Sequence, residues 1–141
     1  MTEEQQLSTV EKVIFLKSVE IFAHAAIEEL GRVATLMQEV RFESQETIYR
    51  EGNPLDAIFV LLKGRVAVQS GDTQVREVEK HEIIGALAAL DCGVALRTVT
   101  TLEAVHALKL NAQDFQDLLA SDFNLVKAVF RVVAKNIRSG F

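Results

Sequence analysis

The 141-residue sequence has one cysteine, one proline and no tryptophan. The lone Cys92 excludes an internal disulfide and cannot build a zinc site by itself, so a reducing, cytoplasmic setting is the expectation. Positive charge is in deficit. Fifteen Lys and Arg stand against 20 Asp and Glu, a net charge of −5, which disfavours a nucleic-acid surface. No apolar run reaches the roughly 18 residues of a membrane span, so no direct membrane insertion is expected. The opening "MTEEQQLSTV" is too acidic and polar for a secretory signal. Repeats and low-complexity segments are absent as well. What remains, 49% apolar and 25% charged residues, suits one ordinary globular domain over residues 1–141.

Periodicity divides the chain into a helical part over about 8–38, strands over about 39–110 and helices over about 111–139. In "STVEKVIFLKSV", Ser8 and Glu11 have capping-box spacing, and Val10, Val13, Ile14 and Lys17 follow at helical intervals. A second helix is predicted from Ile27 to about Gln38, with Ile27, Leu30, Ala34 and Met37 on one face. Gly31 weakens it, and no Ser, Thr, Asp or Asn immediately precedes Ile27 to cap it. After Glu39 come short runs rich in β-branched and aromatic residues: "VRF", "TIY", "AIFVLLK", "RVAVQ", "VREV", "TVTTL" and "VHALKL". "EGNPLD", Gly64, "SGD" and "DCG" punctuate them. That spacing indicates an antiparallel sandwich or barrel. Asn111 is expected to cap the next helix, with Asp114 three residues on.

The last segment, "FNLVKAVFRVVAKNIRSGF", reads as a helix of four or five turns with two faces. Val126, Val129, Phe130, Val133 and Ile137 form an apolar seam; Lys127, Arg131, Lys135 and Arg138 form a basic stripe. The stripe suits a solvated face and the helix C-terminal dipole. The seam has two readings. It is core, folded on the barrel or on the first helix near Val10 and Ile14, or it is a homodimer contact, with Val126, Val129, Val133 and Ile137 near coiled-coil spacing.

This order of parts, with "EGNPLDAIFVLLKGRVAV" in the middle, resembles the cyclic nucleotide-binding domain. That family is the jelly-roll module of the catabolite activator protein, the regulatory subunit of cyclic-AMP-dependent kinase and cyclic-nucleotide-gated channels. The resemblance runs from about Phe15 to Arg138. Its most specific piece is Glu51-Gly52, Asp56, Phe59-Val60 and Gly64, then Val66 and Val68. It implies a mainly β fold of about eight strands with flanking helices. Gly52 and Gly64 fall at tight turns, where positive φ is often needed. The opening "LSTVEKVIFLKSVEIF" is similar to the first helix of such domains in larger bacterial proteins, including transporter-like ones. It suggests one part of a longer polypeptide with a covalent or non-covalent larger partner.

The resemblance also implies a ligand site. The family pattern is Phe-Gly-Glu-Leu-Ala, about five residues, then Pro-Arg-Ser/Thr-Ala. Backbone N–H groups of a short helix meet the cyclic phosphate. The Arg pairs with that phosphate, and the Glu accepts from the ribose 2′-hydroxyl. Ile84, Gly85, Leu87 and Ala88 match the frame, but Ala86 holds the glutamate position. Val94, Ala95 and Leu96 hold the proline, arginine and hydroxyl positions, Arg97 falls where alanine is usual, and Thr98 follows. Losing the arginine and glutamate contacts costs about 3–6 kcal/mol, or roughly two to four decades in affinity. A bound cyclic nucleotide is therefore disfavoured, and no other cofactor is implied. A two-residue slip would rescue the site, because Arg97 lies on the same side of a strand as Ala95. The other reading of Arg97 is a salt bridge to a nearby carboxylate.

Other chemistry finds little support. Jelly rolls include metal-binding cupins, but His24, His81 and His106 share no ligand-like spacing. Cys92 is read as a loop filler; the alternatives are a redox thiol or a haem ligand, as in some gas-sensing relatives of the catabolite activator. No basic neighbour lowers its pKa. Asp91, Glu79 and Glu82 form no acid–base pattern, so no enzyme is indicated. The sequence as given ends at Phe141, with no room for the DNA-binding helix-turn-helix that follows in the catabolite activator. The leading expectation is a non-catalytic regulatory or interaction domain with lost or altered ligand response. The alternative is a sensor of a cyclic nucleotide or other small anion using Arg97 and the backbone cassette.

Overall fold

A computed structural model describes residues 6–91 and 93–138. Ser8 opens helix α1 (Thr9–Leu16) with the expected reciprocal cap. Its hydroxyl accepts from the Glu11 N–H, and the Glu11 carboxylate accepts from the Ser8 N–H. A 3-10 turn, Glu20–Phe22, and helix α2, Ile27–Leu36, follow. Helix α2 starts at Ala26 without a side-chain cap, as its sequence implies. It ends earlier than expected, because Met37 is extended and Gln38 already pairs in the first strand. Leu30, Ala34 and Met37 are buried, whereas Ile27 of the expected face is exposed.

Eight strands follow among the described residues: β1 (Gln38–Phe42), β2 (Thr47–Tyr49), β3 (Ala57–Lys63), β4 (Val66–Ser70), β5 (Thr73–Val78), β6 (Ile83–Ile84), β7 (Thr98–Thr101) and β8 (Val105–Asn111). They form two antiparallel sheets, ordered β1-β8-β3-β6 and β2-β7-β4-β5. This is the expected β-sandwich, with β6 the strand that the sequence pattern did not reveal. Strand β3 is buried from Ala57 to Leu61, so both of its faces are covered. Phe59 meets Tyr49 of the opposite sheet at 5.8 Å between ring centroids; helices α3 (Ala86–Leu90) and α4 (Ala112–Ser121) pack against the strand as well. Gly52 and Gly64 have φ of +90° and +96°. At Gly64 a Cβ would also lie 2.4 Å from the Ala104 carbonyl oxygen, so a turn this tight needs glycine.

Asn111 occupies the N-cap of α4, but its side chain makes no capping bond. The Ala112 N–H, the first of the helix, donates to the Asp56 carbonyl at 2.8 Å. The last helix, α5 (Phe123–Arg138), is capped by Asp122, whose carboxylate accepts from the Leu125 N–H at 3.2 Å.

Glu39 of β1 ties the N-terminal segment to the sandwich. Its carboxylate accepts from the Leu7 N–H and lies 2.7 Å from His106 Nε2 on β8. Nearby, Lys12 donates to the Met37 carbonyl at 3.0 Å. Burial pushes the Glu39 carboxyl up, but the Leu7 N–H, His106 and Lys12 outweigh it and hold the group below its ordinary value of 4.5. A lowered folded pKa gives stability that is present above the unfolded value and lost as pH falls through the folded one. Glu39→Ala is expected to cost about 2 kcal/mol near neutral pH. In urea melts, the gap from wild type should shrink below about pH 4.5; a gap that stays constant into acid would disprove the assignment.

Candidate functional site

The frame of the site is set by one close approach. Gly85 has φ +87° and serves as the N-cap of α3. A Cβ there would lie 2.4 Å from the Tyr49 hydroxyl oxygen. That hydroxyl is buried beneath the turn; it donates to the Ala57 carbonyl at 2.6 Å and lies 3.3 Å from the Ile84 carbonyl. Tyr49 was legible in the sequence only as a strand residue, and nothing in its neighbourhood marks it as the support of the cassette. From Gly85 the chain makes one short helix and returns: the Ala89 N–H donates to the Gly85 carbonyl, and the Gly93 N–H to the Ala88 carbonyl. The first N–H groups of α3, those of Ala86, Leu87 and Ala88, have no acceptor within the helix itself. Gln116 of α4 donates to the Ala89 carbonyl at 2.9 Å, joining the cassette to the C-terminal helices.

The corner then pairs with the β2–β3 turn. Leu55 N–H donates to the Gly93 carbonyl at 2.7 Å, Gly52 N–H to Ala95 at 2.9 Å, and Ala95 N–H to Asn53 at 2.9 Å. The Thr98 hydroxyl accepts from the Glu51 N–H at 3.1 Å. The expected pocket positions are therefore linked through Gly93 and the β2–β3 turn, but they differ in exposure. Ala88 and Ala95 are buried, Gly85, Ala86 and Thr98 half-buried, and Leu87, Leu96 and Arg97 exposed. The strand on which the same-side expectation for Ala95 and Arg97 rests is absent there. The chain bends at Leu96 and Arg97, ahead of β7, and a bend breaks the period of two. Arg97 donates to its neighbour's carbonyl, Leu96, at 2.9 Å. Among the described residues it has no carboxylate partner.

The other candidates disperse. Among the described residues no group of three or more His, Cys, Asp or Glu is placed to hold a metal. His106 pairs with Glu39. His81 stacks on Phe15, with ring centroids 4.9 Å apart, and bonds through Nδ1 to Ser18. Cys92 lies outside the described residues, as do residues 139–141. Glu82 is used by Arg76 at 3.5 Å and by the Glu79 N–H. No helix among the described residues is long and apolar enough to cross a membrane. Two surface clefts stand out, and neither is at the cassette. One of about 320 Å³ lies between the 3-10 turn and α5; the other, about 400 Å³, lies beside Gly64 and Arg65.

Helix α5 divides its apolar residues differently from the expectation. Leu125, Ala128 and Val129 are buried, so Val129 belongs to the core and not to a pairing seam. Phe123, Phe130 and Ile137 stand 72%, 66% and 60% exposed, with Val126 and Val133 between them at intermediate exposure. This second row has a spacing of three and four residues, so periodicity alone merged two apolar stripes into one. Helix α5 packs on the 3-10 turn, while Val10 and Ile14 of α1 remain exposed.

Residues 39–122, more than half of the chain, match the cyclic nucleotide-binding domain. The chain belongs to that family. It is 26% identical over 140 residues to lysophospholipase NTE1 of Kluyveromyces lactis, covering 91% of this chain and 10% of that protein. It is 29% identical over 112 residues to the cAMP-dependent protein kinase regulatory subunit of Dictyostelium discoideum, covering 74% of this chain and 34% of the relative. It thus spans a minor part of both. Among solved structures, the regulatory subunit of a cAMP-independent protein kinase A from Trypanosoma brucei, in a mutant bound to cAMP, superposes with a TM-score of 0.77. Its identity is 22%, over 88% of this chain and 46% of that one. That likeness is one of fold.

Gly85→Ala is expected to destabilise the protein by roughly 2–4 kcal/mol, combining the positive-φ and overpacking costs. In a Tyr49→Phe background the added cost should be smaller, because the nearest clashing atom is gone. Denaturant melts of the double-mutant cycle measure this; strictly additive losses would show that the two residues do not meet.

Proposed function

We propose that this is a non-catalytic regulatory or interaction domain in which the response to cyclic nucleotides is lost or altered. One observation carries the reading. Ala86, Ala95 and Leu96 stand where the family places its glutamate, arginine and hydroxyl. Ala95 is only 3% exposed, with its N–H and carbonyl both engaged by the β2–β3 turn. In this reading the backbone frame is kept, while those three positions carry no side chain to grip a phosphate or a ribose. The trypanosome subunit is a relative in fold: it belongs to a cAMP-independent kinase, and a triple mutant of it, one change of which introduces an arginine, is bound to cAMP in its A site. The lysophospholipase activity named for the yeast relative belongs to a protein of which this chain spans 10%, so it is not assigned to this domain. Attachment to a larger partner fits the minor share that the chain takes of its relatives. The competing reading, a sensor of a nucleotide or other small anion, draws on the exposure of Arg97 beside the cassette.

Calorimetric titration with cyclic AMP and cyclic GMP is the test. Binding should be weak or absent, and low-micromolar affinity for either would sink the degenerate-site reading. The double change Ala86→Glu with Ala95→Arg should strengthen binding, since it restores two charge-assisted contacts on an intact frame.

The exposed row on α5 supports a homodimer. Phe123, Val126, Phe130, Val133 and Ile137 repeat at coiled-coil spacing, and a two-fold contact would cover the same row on both partners. Phe130→Glu is the cleaner probe, because that side chain is mostly exposed in a single copy. Light scattering should show a dimer that becomes a folded monomer on this change. A wild-type monomer at high concentration would overturn the proposal.

A further inference from the structure

Helix α5 carries four cations and no acidic residue in a chain whose net charge is −5. Three of them, Arg131, Lys135 and Arg138, line one cleft of about 320 Å³ together with His24 and Glu20 of the facing segment. Ala128, Val132 and Ala134 give that cleft an apolar lining. Its volume lies at the lower end of the range for small-molecule sites, about 300–1,000 Å³. Arg131 follows Phe130 by one residue, about 100° round the helix, so the cleft lies on a different flank from the exposed apolar row. It is also separate from the Gly85 cassette, since none of its lining residues comes from β6, α3 or β7.

The electrostatics of this cleft are unbalanced. Lys135 Nζ sits 3.0 Å from a Glu20 carboxylate oxygen. Among the described residues neither Arg131 nor Arg138 has an ion-pair partner. Among the described residues that line the cleft, one carboxylate, Glu20, stands with three permanent cations. Guanidinium groups offer fixed forks of donors that match the oxygens of phosphate and carboxylate. We propose that the cleft between the 3-10 turn and α5 binds a small polyanion, with Arg131 and Arg138 as its principal anion-binding side chains. Glu20 occupies Lys135 while the site is free; a ligand's anionic group competes with it for that ammonium. The apolar lining accommodates the body of a molecule whose charges lie at one end. Because Glu20 belongs to the N-terminal helical segment and Lys135 to α5, occupation would exchange an intramolecular contact between the two ends of the chain for a contact with ligand.

Titration of the full chain with inorganic tripolyphosphate and, separately, with citrate tests this by calorimetry and by amide chemical shifts. Saturable binding is expected, weakening as salt rises, with the largest shifts in residues 20–24 and 128–138. Arg131→Ala with Arg138→Ala should weaken it at least about tenfold. Glu20→Gln should strengthen it several-fold by removing the internal competitor. Arg97→Ala should leave it unchanged, which separates this site from the cassette. Tighter binding of tripolyphosphate than of citrate would assign a phosphate-bearing ligand; equal binding would assign charge alone. The proposal is overturned if neither anion saturates at millimolar concentration, if binding survives loss of both arginines in a protein of unchanged circular dichroism, or if Arg97→Ala abolishes it.

Discussion

A single buried hydroxyl joins the parts on which the rest of the sandwich depends. Tyr49 lies on β2 in one sheet, and its proton goes to the Ala57 carbonyl on β3 in the other. The Ile84 carbonyl of β6 lies within reach of the same oxygen. Burial pushes ionisation of the phenol far above its usual range, so this group stays a donor under any ordinary condition. Removing it would take away the donor that the Ala57 carbonyl has in the interior. Since the oxygen also sits against Gly85, the turn that begins the cassette is positioned from below by the sandwich. The core thus sets the position of this turn without any ligand.

The terminal helices are fastened to that sandwich by separate polar contacts. Glu39 and His106 hold the start of α1; His81, in a backbone conformation with φ +74°, holds its end through Phe15 and Ser18. Glu29 of α2 is raised first by its hydrogen bond to Asp122, and Asp122 is lowered by the same bond. The mutual influence of these two carboxylates places α2 beside the cap of α5. Gln116 fastens α4 to the cassette.

Much of the sandwich was legible because its strands alternate and its turns carry glycine, asparagine and aspartate. The Ser8–Glu11 cap and the span of the last helix were legible for similarly local reasons. Strand β6 was not, since two residues, Ile83 and Ile84, are too few to show a period. Asn111 has a capping side chain that makes no cap bond, and the Asp56 carbonyl takes the first N–H of α4, a tertiary contact that no local pattern contains. Periodicity found the apolar character of α5 but could not tell Val129, which faces the core, from Phe130, which faces water. At the candidate site the alanines were plain to read. The bend at Leu96 and Arg97 was not, since it comes right after Ala95 pairs with Gly52 and Asn53, residues more than 40 positions away in the chain.

Helix α5 has three duties on one short surface: a row against the core, an exposed apolar row and a basic row. Successive residues differ by about 100° around the axis, so these duties are assigned by counting. A residue inserted just after the Asp122 cap would swing the helix by one such step and bring Lys127, Arg131 and Arg138 toward the interior. A residue deleted there would turn it the other way, carrying the exposed apolar row toward the core and the core row toward the basic flank. Length at this corner is thus under a stricter rule than composition. Gains of one residue there would be far more damaging than losses, an asymmetry that the history of related chains should record.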